Sequence, residues 1–290
     1  MKKTIIVTDS NSGITQLEAK DLGVVVVPMP FTIDGEEFME DISITQEQFY
    51  EKLSKDLDVM TSQPSHHDLE ELFLGLLNDY ESIVFIPMSS GLSGTCENAK
   101  NFEKQFDGRV FVVDNKRISV TQRESVMEAL SMSNKDISAL EIKNHLEKTG
   151  EENSIYIAVD TLKYLKKGGR ISKAAATLGD MFKLKPVLQS TGGAFEKLGI
   201  AFNMEQAKKK MIQKLKQDLD TKFAEEVKEG KIVMSVAYTN CLDKAIKFKD
   251  ELVKAFPSIP LHFVNPLSLS VSCHIGSGAL AVALSVNYNL

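Results

Sequence analysis

Residues 88–95, MSSGLSGT, place four hydroxyl side chains within seven residues and two glycines between them. The segment follows a strand-like run, SIVFIP, and precedes a helix-like run. Backbone N–H groups at a helix N-terminus, together with the helix dipole, favour a negatively charged group. The segment lacks the Gly-Lys-Ser/Thr of a phosphate-binding P-loop. Its hydroxyls could also serve only as turn and N-cap groups, so the sequence leaves open an anion-binding loop or an ordinary capped turn.

The same segment nearly matches the Gly-x-Ser-x-Gly nucleophile elbow of serine hydrolases. Gly91 and Ser93 occupy the first two fixed positions, but Thr95 stands where the second glycine belongs. A hydrolase using Ser93 with His274 as its base is therefore an alternative function. A binder of a sugar phosphate, a nucleotide phosphate or another small anion is a further alternative.

A second hydroxyl cluster, TSQPS at 61–65, also precedes a helix pattern. Ser65 followed by Asp68 is typical of a helix N-cap. Capping does not explain Thr61 and Ser62. These two hydroxyls are therefore candidates for ligand binding or members of an ordinary loop.

A basic segment follows at 160–172, DTLKYLKKGGRIS. Its glycine pair predicts a helix end, so Arg170 is expected beyond the turn. Lysines in a last helical turn also complement the helix dipole. The functional interpretation is a basic site for a carboxylate, a phosphate or an acidic partner, formed by Lys163, Lys166, Lys167, Arg170, Lys173, Lys183 and Lys185.

Composition excludes several classes of function. The net charge of −6 argues against nucleic acid as the main partner. No run reaches the ~18 apolar residues of a membrane helix, and the N-terminal MKKTIIVTDS is too short in its apolar part for a signal peptide. Three scattered cysteines predict no disulfide framework and no zinc site, which favours a cytoplasmic location. His66 and His67 have no neighbouring acidic ligand cluster, so no metal is expected.

The first half of the chain alternates short β-branched runs with helix patterns. Strands are predicted at 4–9, 24–28, 82–87 and 110–114. Helices are predicted at 14–23, 45–55, 65–80 and 94–106, with two more between 119 and 148. This alternation predicts a three-layer α/β domain with a mostly parallel sheet over residues 1–153.

The second half has a different pattern. Strands are predicted at 154–160, at 231–239 and at 261–265, with a hairpin over 185–199. Long helices are predicted at 203–227 and 241–256, and the last apolar segment, ALAVALSVNY, fits helix or strand. The pattern predicts an α+β domain with a mixed or antiparallel sheet over residues 154–290.

Taken together, the motifs resemble the DegV family, the fatty-acid-binding subunits of bacterial fatty acid kinase. The matching segments are TDS at 8–10, TSQPS at 61–65, SSGLSGT at 89–95, VVDN at 112–115, LKYLKKGGRIS at 162–172, KPVL at 185–188 and HIGSGAL at 274–280. The resemblance implies two domains with a long-chain fatty acid buried between them. It also implies that the fatty acid is the ligand and that no cofactor is needed.

The resemblance further implies roles for individual residues. Thr61, Ser93 and His274 are expected to bind the carboxylate, and we add Ser62 to this group. Arg170, with Lys167, is expected to engage the kinase and to stabilise charge. The protein would not catalyse a reaction itself. It would present the carboxylate to a separate ATP-dependent kinase, which forms an acyl phosphate for phospholipid synthesis, and transient contact with a membrane surface is expected.

Overall fold

The computed structural model describes residues 2–177 and 184–288. The chain forms two compact units, Met1–Glu151 and Glu152–Leu290. The sequence-based boundary between residues 153 and 154 stays a prediction. Lys183, which the sequence adds to the basic segment, lies outside the described residues.

The first unit is built on a four-stranded sheet in the order β2-β1-β6-β7, and every neighbouring pair is parallel. Its strands are β1 (Lys2–Asp9), β2 (Val25–Val27), β6 (Tyr80–Ile86) and β7 (Val110–Val112). Their side chains alternate between two apolar clusters, one on each face. Burial on both faces explains why these strands are continuous β-branched runs.

Helices cover both faces of this sheet. Against one face lie α3 (His66–Leu76), α4 (Thr95–Ala99) and α5 (Asn101–Gln105). Against the other lie α1 (Gln16–Leu22), α6 (Ser119–Asn134) and α7 (Ala139–Lys148). Helix α2 (Gln46–Ser54) and a 3₁₀ turn at Ser10–Ser12 complete the unit. The three-layer α/β architecture predicted from the sequence is confirmed.

Several helix starts follow directly from capping side chains. Thr15 and Glu18 form a reciprocal capping box at α1, and Ser138 and Glu141 form one at α7. The Ser65 hydroxyl accepts the Asp68 N–H at 3.0 Å, so the predicted N-cap of α3 is confirmed. The single helix predicted at 94–106 is instead α4 and α5, which meet at Lys100. There, Glu103 N–H donates to the Lys100 carbonyl in a 3₁₀-type bond.

A small antiparallel sheet in this unit was not predicted. Its strands, in the order β4-β3-β5, are β3 (Pro30–Ile33), β4 (Glu36–Met39) and β5 (Val59–Thr61). Asp34 and Gly35 turn β3 into β4 with φ values of 50° and 82°. Asp-Gly is a strong hairpin signal, so the sequence contained this information. The three- and four-residue strands are too short to show a clear apolar period.

The second unit contains a six-stranded mixed sheet in the order β10-β9-β8-β13-β11-β12. Its strands are β8 (Asn153–Ala158), β9 (Lys185–Ser190), β10 (Glu196–Ala201), β11 (Ile232–Tyr238), β12 (Leu261–Pro266) and β13 (Leu280–Val286). The apolar segment ALAVALSVNY, which by sequence fits helix or strand, forms strand β13. It is antiparallel to β8 and β11 at the centre of the sheet, which explains its complete burial.

The helices of this unit are α8 (Lys163–Gly168), α9 (Lys173–Ala176), α10 (Met204–Asp220), α11 (Ala224–Lys228), α12 (Leu242–Ala255) and α13 (Leu269–Ile275). Helices α10 and α12 pack on one sheet face in a continuous apolar core. The helix predicted at 203–227 is interrupted where Phe223 turns into this core. The mixed-sheet prediction for this half is confirmed. Among the described residues, no helix combines the length and apolarity needed to cross a membrane.

Candidate functional site

The hydroxyl-rich loop at 88–95 begins beyond the carboxyl end of β6, beside the carboxyl end of β1. Because these parallel strands are neighbours, Asp9 at the end of β1 reaches the loop. Its Oδ2 accepts the Met88 N–H at 2.8 Å, and its Oδ1 accepts Gln122 Nε2 at 3.0 Å. Asp9 is fully buried, and this burial raises the pKa of its carboxyl. Asp9 therefore fixes the position where the loop leaves the sheet.

Other groups fix the next part of the loop. Ser89 N–H donates to the Arg117 carbonyl at 2.9 Å. Ser90 N–H donates to Asp114 Oδ1 at 3.2 Å, and Lys116 pairs with the other oxygen of Asp114 at 2.5 Å. Asp114 is part-buried, which opposes ionisation, but its bonds to Lys116 and Ser90 lower the pKa of its carboxyl.

The remaining N–H groups donate within the loop. Gly91 N–H donates to Ser89 Oγ, and the N–H groups of Leu92 and Ser93 donate to the Ser89 carbonyl. Thr95 N–H donates to Ser93 Oγ. From 88 to 93, every backbone donor of this loop already has a protein acceptor. These N–H groups are therefore not available to an anion, and the hydroxyls remain as donors in this part of the loop. The anion-binding loop stays a prediction.

Ser93 and Thr95 form a buried pair of hydroxyls. Ser93 Oγ lies 3.0 Å from Thr95 Oγ1, and the exposed fractions are 9% and 1%. The two hydroxyls share one hydrogen bond, which uses one of their two protons. Among the described residues, neither hydroxyl has a further acceptor. One buried O–H is therefore left to bind something else, and buried donors are rarely left unpaired.

Ser93 does not lie on a nucleophile elbow. Strand β6 ends at Ile86, seven residues earlier, whereas an elbow serine lies on a sharp strained turn between strand and helix. Ser93 is not among the described residues with positive φ. Its side-chain contacts are with Thr95, so the geometry favours a binding hydroxyl over a nucleophile.

The TSQPS segment contacts this loop through Gln63. A Cβ on Gly94 would lie 2.4 Å from Gln63 Nε2, and Asn98 on α4 donates to Gln63 Oε1. Thr61 is half-buried at the end of β5, opposite Phe31. The two predicted hydroxyl motifs therefore lie side by side in the first unit.

Ser62 has a different environment from Ser93. Its side chain is exposed, and its N–H donates to the Pro30 carbonyl. Next to the contact between the two motifs is a cavity of about 280 Å³. It is lined by Gln63, Pro64, His66, Leu69, Thr95, Asn98, Asn101 and Phe102.

In the second unit, the glycine pair ends α8 as predicted. Gly169 adopts the left-handed conformation, with φ of 68°, and its N–H donates to the Leu165 and Lys166 carbonyls. Arg170 follows this turn, and its guanidinium donates to the Gly168 carbonyl. Lys167 on the last helical turn is exposed. Arg170 is thus held against the helix end, and Lys167 faces outward.

His274 lies on α13 and packs directly against the end of α8. A Cβ on Gly168 would lie 2.0 Å from His274 Nδ1, so only glycine leaves room for the imidazole. Burial, and secondarily the charge of Arg170, lower the pKa of His274 to about 4. The ring is therefore neutral at pH 7 and can both accept and donate a hydrogen bond. The structure brings His274 and Arg170 close together, a proximity that the sequence did not predict.

The other candidates have simpler environments. Lys185 pairs with Asp160 at 2.7 Å. Exposed His66 stacks on Phe102, and His67 lies 3.5 Å from Glu71. The three cysteines are free of disulfides. The described part of the chain has no group of three or more His, Cys, Asp or Glu side chains arranged for a metal ion.

Sequence reasoning missed the roles of Thr95 and Asp9. It treated Thr95 as one of four loop hydroxyls, as a cap candidate and as the residue that breaks the elbow pattern, but not as the partner of Ser93. Its spacing of two from Ser93 was the available signal, because a hydroxyl at that distance in a tight turn can reach back. For Asp9, the available signal in the sequence was its position at the end of the first strand.

The fold and these groups define a two-domain α/β protein with a buried hydroxyl pair in the first unit and a neutral, largely buried histidine in the second. The sequence profile described as "Uncharacterised protein, DegV family" matches residues 3–287. A DegV domain-containing protein of Staphylococcus aureus is 31% identical over 287 residues, with 98% of this chain and 99% of the relative covered. The chain belongs to the DegV family.

Solved structures of the family have the same fold. A fatty-acid-binding DegV family protein from Thermus thermophilus superposes with a TM-score of 0.87 at 27% identity, covering 98% of this chain and 99% of that one. DegV from Bacillus subtilis, a fatty acid binding protein, has a TM-score of 0.84 at 25% identity and covers 99% and 100%.

Proposed function

We propose that this protein binds a long-chain fatty acid and that Thr61, Ser62, Ser93 and His274 bind its carboxylate. The observation that carries this proposal is the buried Ser93–Thr95 pair, which has one proton more than its internal hydrogen bond uses. An ionised carboxylate can only accept hydrogen bonds, so it is a suitable partner for the spare hydroxyl proton of this pair. The fatty-acid-binding relatives from T. thermophilus and B. subtilis support the choice of a fatty acid.

The physical need for such a protein comes from the insolubility of the ligand. Burying one CH₂ contributes about 0.8 kcal/mol, so a chain of about 15 methylenes resists leaving a bilayer by on the order of 12 kcal/mol. A protein that encloses the chain supplies similar burial. Its carboxylate must still find hydrogen-bond donors, because an unpaired buried charge is costly.

We further propose that the protein presents this carboxylate to a separate ATP-dependent fatty acid kinase. The kinase would form an acyl phosphate that feeds phospholipid synthesis in the cytoplasm, with transient contact between this protein and a membrane surface. Hydroxyls suit this role because they bind the carboxylate without neutralising it, and it must act as the nucleophile. Arg170 and Lys167 would stabilise charge during the transfer or dock the kinase.

Lipid extraction from the purified protein, followed by mass spectrometry, tests the binding proposal. We expect about one long-chain fatty acid per chain, and a lower occupancy in Ser93→Ala, which removes a donor to the carboxylate. Kinase and ATP should convert the bound acid to an acyl phosphate, trapped as a hydroxamate. Absence of lipid and of acyl phosphate would contradict the proposal.

The hydrolase alternative predicts a different result. A fluorophosphonate probe should label Ser93 if this residue is a nucleophile, and should leave it unmodified if it only binds. A thermal shift with phosphates but none with fatty acids would instead favour another anionic ligand.

A further inference from the structure

One edge of the sheet in the second unit collects the ends of four strands. Strands β8, β10, β11 and β12 run in the same direction, because β9 and β13 are antiparallel to their neighbours and β12 is parallel to β11. The carboxyl ends of these four strands therefore lie along one edge. Helix α8 follows β8 there, α10 follows β10 and α12 follows β11. We call this edge, together with the starts of the three helices, the carboxyl edge.

Exposed apolar side chains lie at the carboxyl edge. Phe202, directly after β10, is 75% exposed, and Leu242, the first residue of α12, is 50% exposed. No large apolar side chain among the described residues is more exposed than Phe202. Its backbone is nevertheless fixed, since its N–H donates to Gln206 Oε1 at 3.1 Å and Asn203 caps α10. Phe202 and Leu242 therefore project outward from ordered structure.

The two units differ in charge. Residues 152–290 carry 20 basic and 13 acidic side chains, a net charge of +7, whereas residues 1–151 carry 14 basic and 27 acidic ones, a net charge of −13. An acidic chain as a whole thus contains one basic unit. An anionic surface attracts this unit and repels the other.

The positive charge of the second unit is concentrated after β8. Residues 161–177, which include α8, carry five basic side chains and no acidic one. Lys163 and Lys167 are exposed there, and on α12 the exposed Lys244 follows Asp243. Two acidic groups that flank the carboxyl edge are in ion pairs, Asp160 with Lys185 at 2.7 Å and Glu205 with Lys208 at 2.7 Å. The carboxyl edge therefore combines projecting apolar side chains with a basic surface.

We propose that the carboxyl edge binds the surface of an anionic lipid bilayer, with Phe202 and Leu242 inserted between the lipids and the neighbouring lysines on the head groups. This inference rests on the proposed function, which includes contact with a membrane. It adds the unit that makes the contact, the two anchoring side chains and the charge of the lipid.

The spacing of the anchors fits an extended surface. Strands β10 and β11 are four positions apart in the sheet, so Phe202 and Leu242 are separated by about 19 Å across it. A protein interface usually has a packed apolar centre, whereas these side chains stand singly beside lysines. Single aromatic and leucine side chains next to lysines are typical of segments that lie in the membrane interface. The lysines then add attraction to anionic head groups.

Fluorescence tests the insertion directly, because the chain has no tryptophan and an introduced one reports a single position. In Phe202→Trp, vesicles of phosphatidylglycerol should shift the emission to shorter wavelength and protect it from iodide quenching. Leu140→Trp is the matched control, because Leu140 is 52% exposed on α7 in the first unit. Its emission should not change when vesicles are added.

Sedimentation with vesicles measures the affinity. Phe202→Ser combined with Leu242→Ser should weaken binding to phosphatidylglycerol vesicles about tenfold, because less apolar area enters the interface. Leu17→Ser combined with Leu140→Ser is the matched control, since these first-unit side chains are 72% and 52% exposed. This control should bind like the original protein. High salt and phosphatidylcholine vesicles should both weaken binding of the original protein.

Three results would overturn the inference. They are equal binding to the two kinds of vesicle, an unshifted emission in Phe202→Trp, and equal losses in the two double variants. A shift of the Phe202→Trp emission by the kinase but not by vesicles would assign the carboxyl edge to a protein partner instead.

The lipid content of the purified protein separates this inference from the proposed function. If the original protein carries no fatty acid, the proposed function fails whatever the vesicles show. If it carries fatty acid but does not bind phosphatidylglycerol vesicles, only the inference about the carboxyl edge fails.

Discussion

Gly168→Ala is the sharpest perturbation of the second unit. The added methyl carbon would lie 2.0 Å from His274 Nδ1 and 2.6 Å from Cε1, whereas ordinary contact begins at 3.4 Å. The imidazole must therefore move by roughly 1.4 Å, the difference between 3.4 and 2.0 Å. Alanine is otherwise well suited to a helix, so the clash is the main effect of the substitution.

The expected consequence is a change in the pKa of His274. Burial, followed by the charge of Arg170, sets this pKa at about 4, against 6.5 in the unfolded chain. A difference of this size corresponds to on the order of 3 kcal/mol. Since the folded value is the lower one, this stability is fully present above pH 6.5 and is lost as the pH falls towards 4. In G168A we expect the pKa to move towards 6.5 and this pH dependence to diminish.

NMR titration of the five histidines measures this directly. His274→Asn assigns the resonance, and unfolding at several pH values gives the stability. Gly169→Ala is the matched control. Gly169 has a φ of +68° and no neighbour within 4 Å of an added Cβ, so alanine there adds strain of about 1–2 kcal/mol without touching the ring. A His274 pKa that stays near 4 in G168A, or moves equally in G169A, would refute this account.

Two further predictions concern stability and reactivity. Arg117 is buried, and its guanidinium donates to the carbonyls of Thr149 at 2.8 Å and Gly150 at 3.3 Å. Arg117→Met should therefore lower the free energy of unfolding in urea by about 3 kcal/mol, and a loss below about 1 kcal/mol would contradict this role. Burial raises the pKa of the Cys96 thiol to about 12, so in the native protein at pH 8 a disulfide reagent should modify half-exposed Cys241 first. Rapid labelling of Cys96 would show that its environment is open.

The loop at 88–95 illustrates how a fold can reassign a motif. Its glycines and hydroxyls resemble an anion-binding loop, but its N–H groups are taken by Asp9, Arg117 and Asp114. These acceptors come from segments far along the chain. The first part of the loop is therefore held in place by residues outside it, and its hydroxyls remain as donors.

The sequence predicted the regular elements best where one face or both faces are buried. The strands of the parallel sheet and helices such as α12 follow from local patterns, because burial selects apolar residues with the period of the element. The small antiparallel sheet escaped prediction because its strands have three or four residues. Its Asp34-Gly35 turn was the local signal that remained.

By itself, the sequence determined the two kinds of sheet and placed Ser93, Arg170 and His274 among the candidate residues. Only the tertiary structure decided that Asp9 holds the start of the loop that carries Ser93 and that Gly168 leaves room for the His274 ring. Local patterns depend on neighbours within a few residues, whereas hydrogen-bond direction and burial depend on atoms brought together from distant segments. The ionisation of His274 is set by such distant atoms.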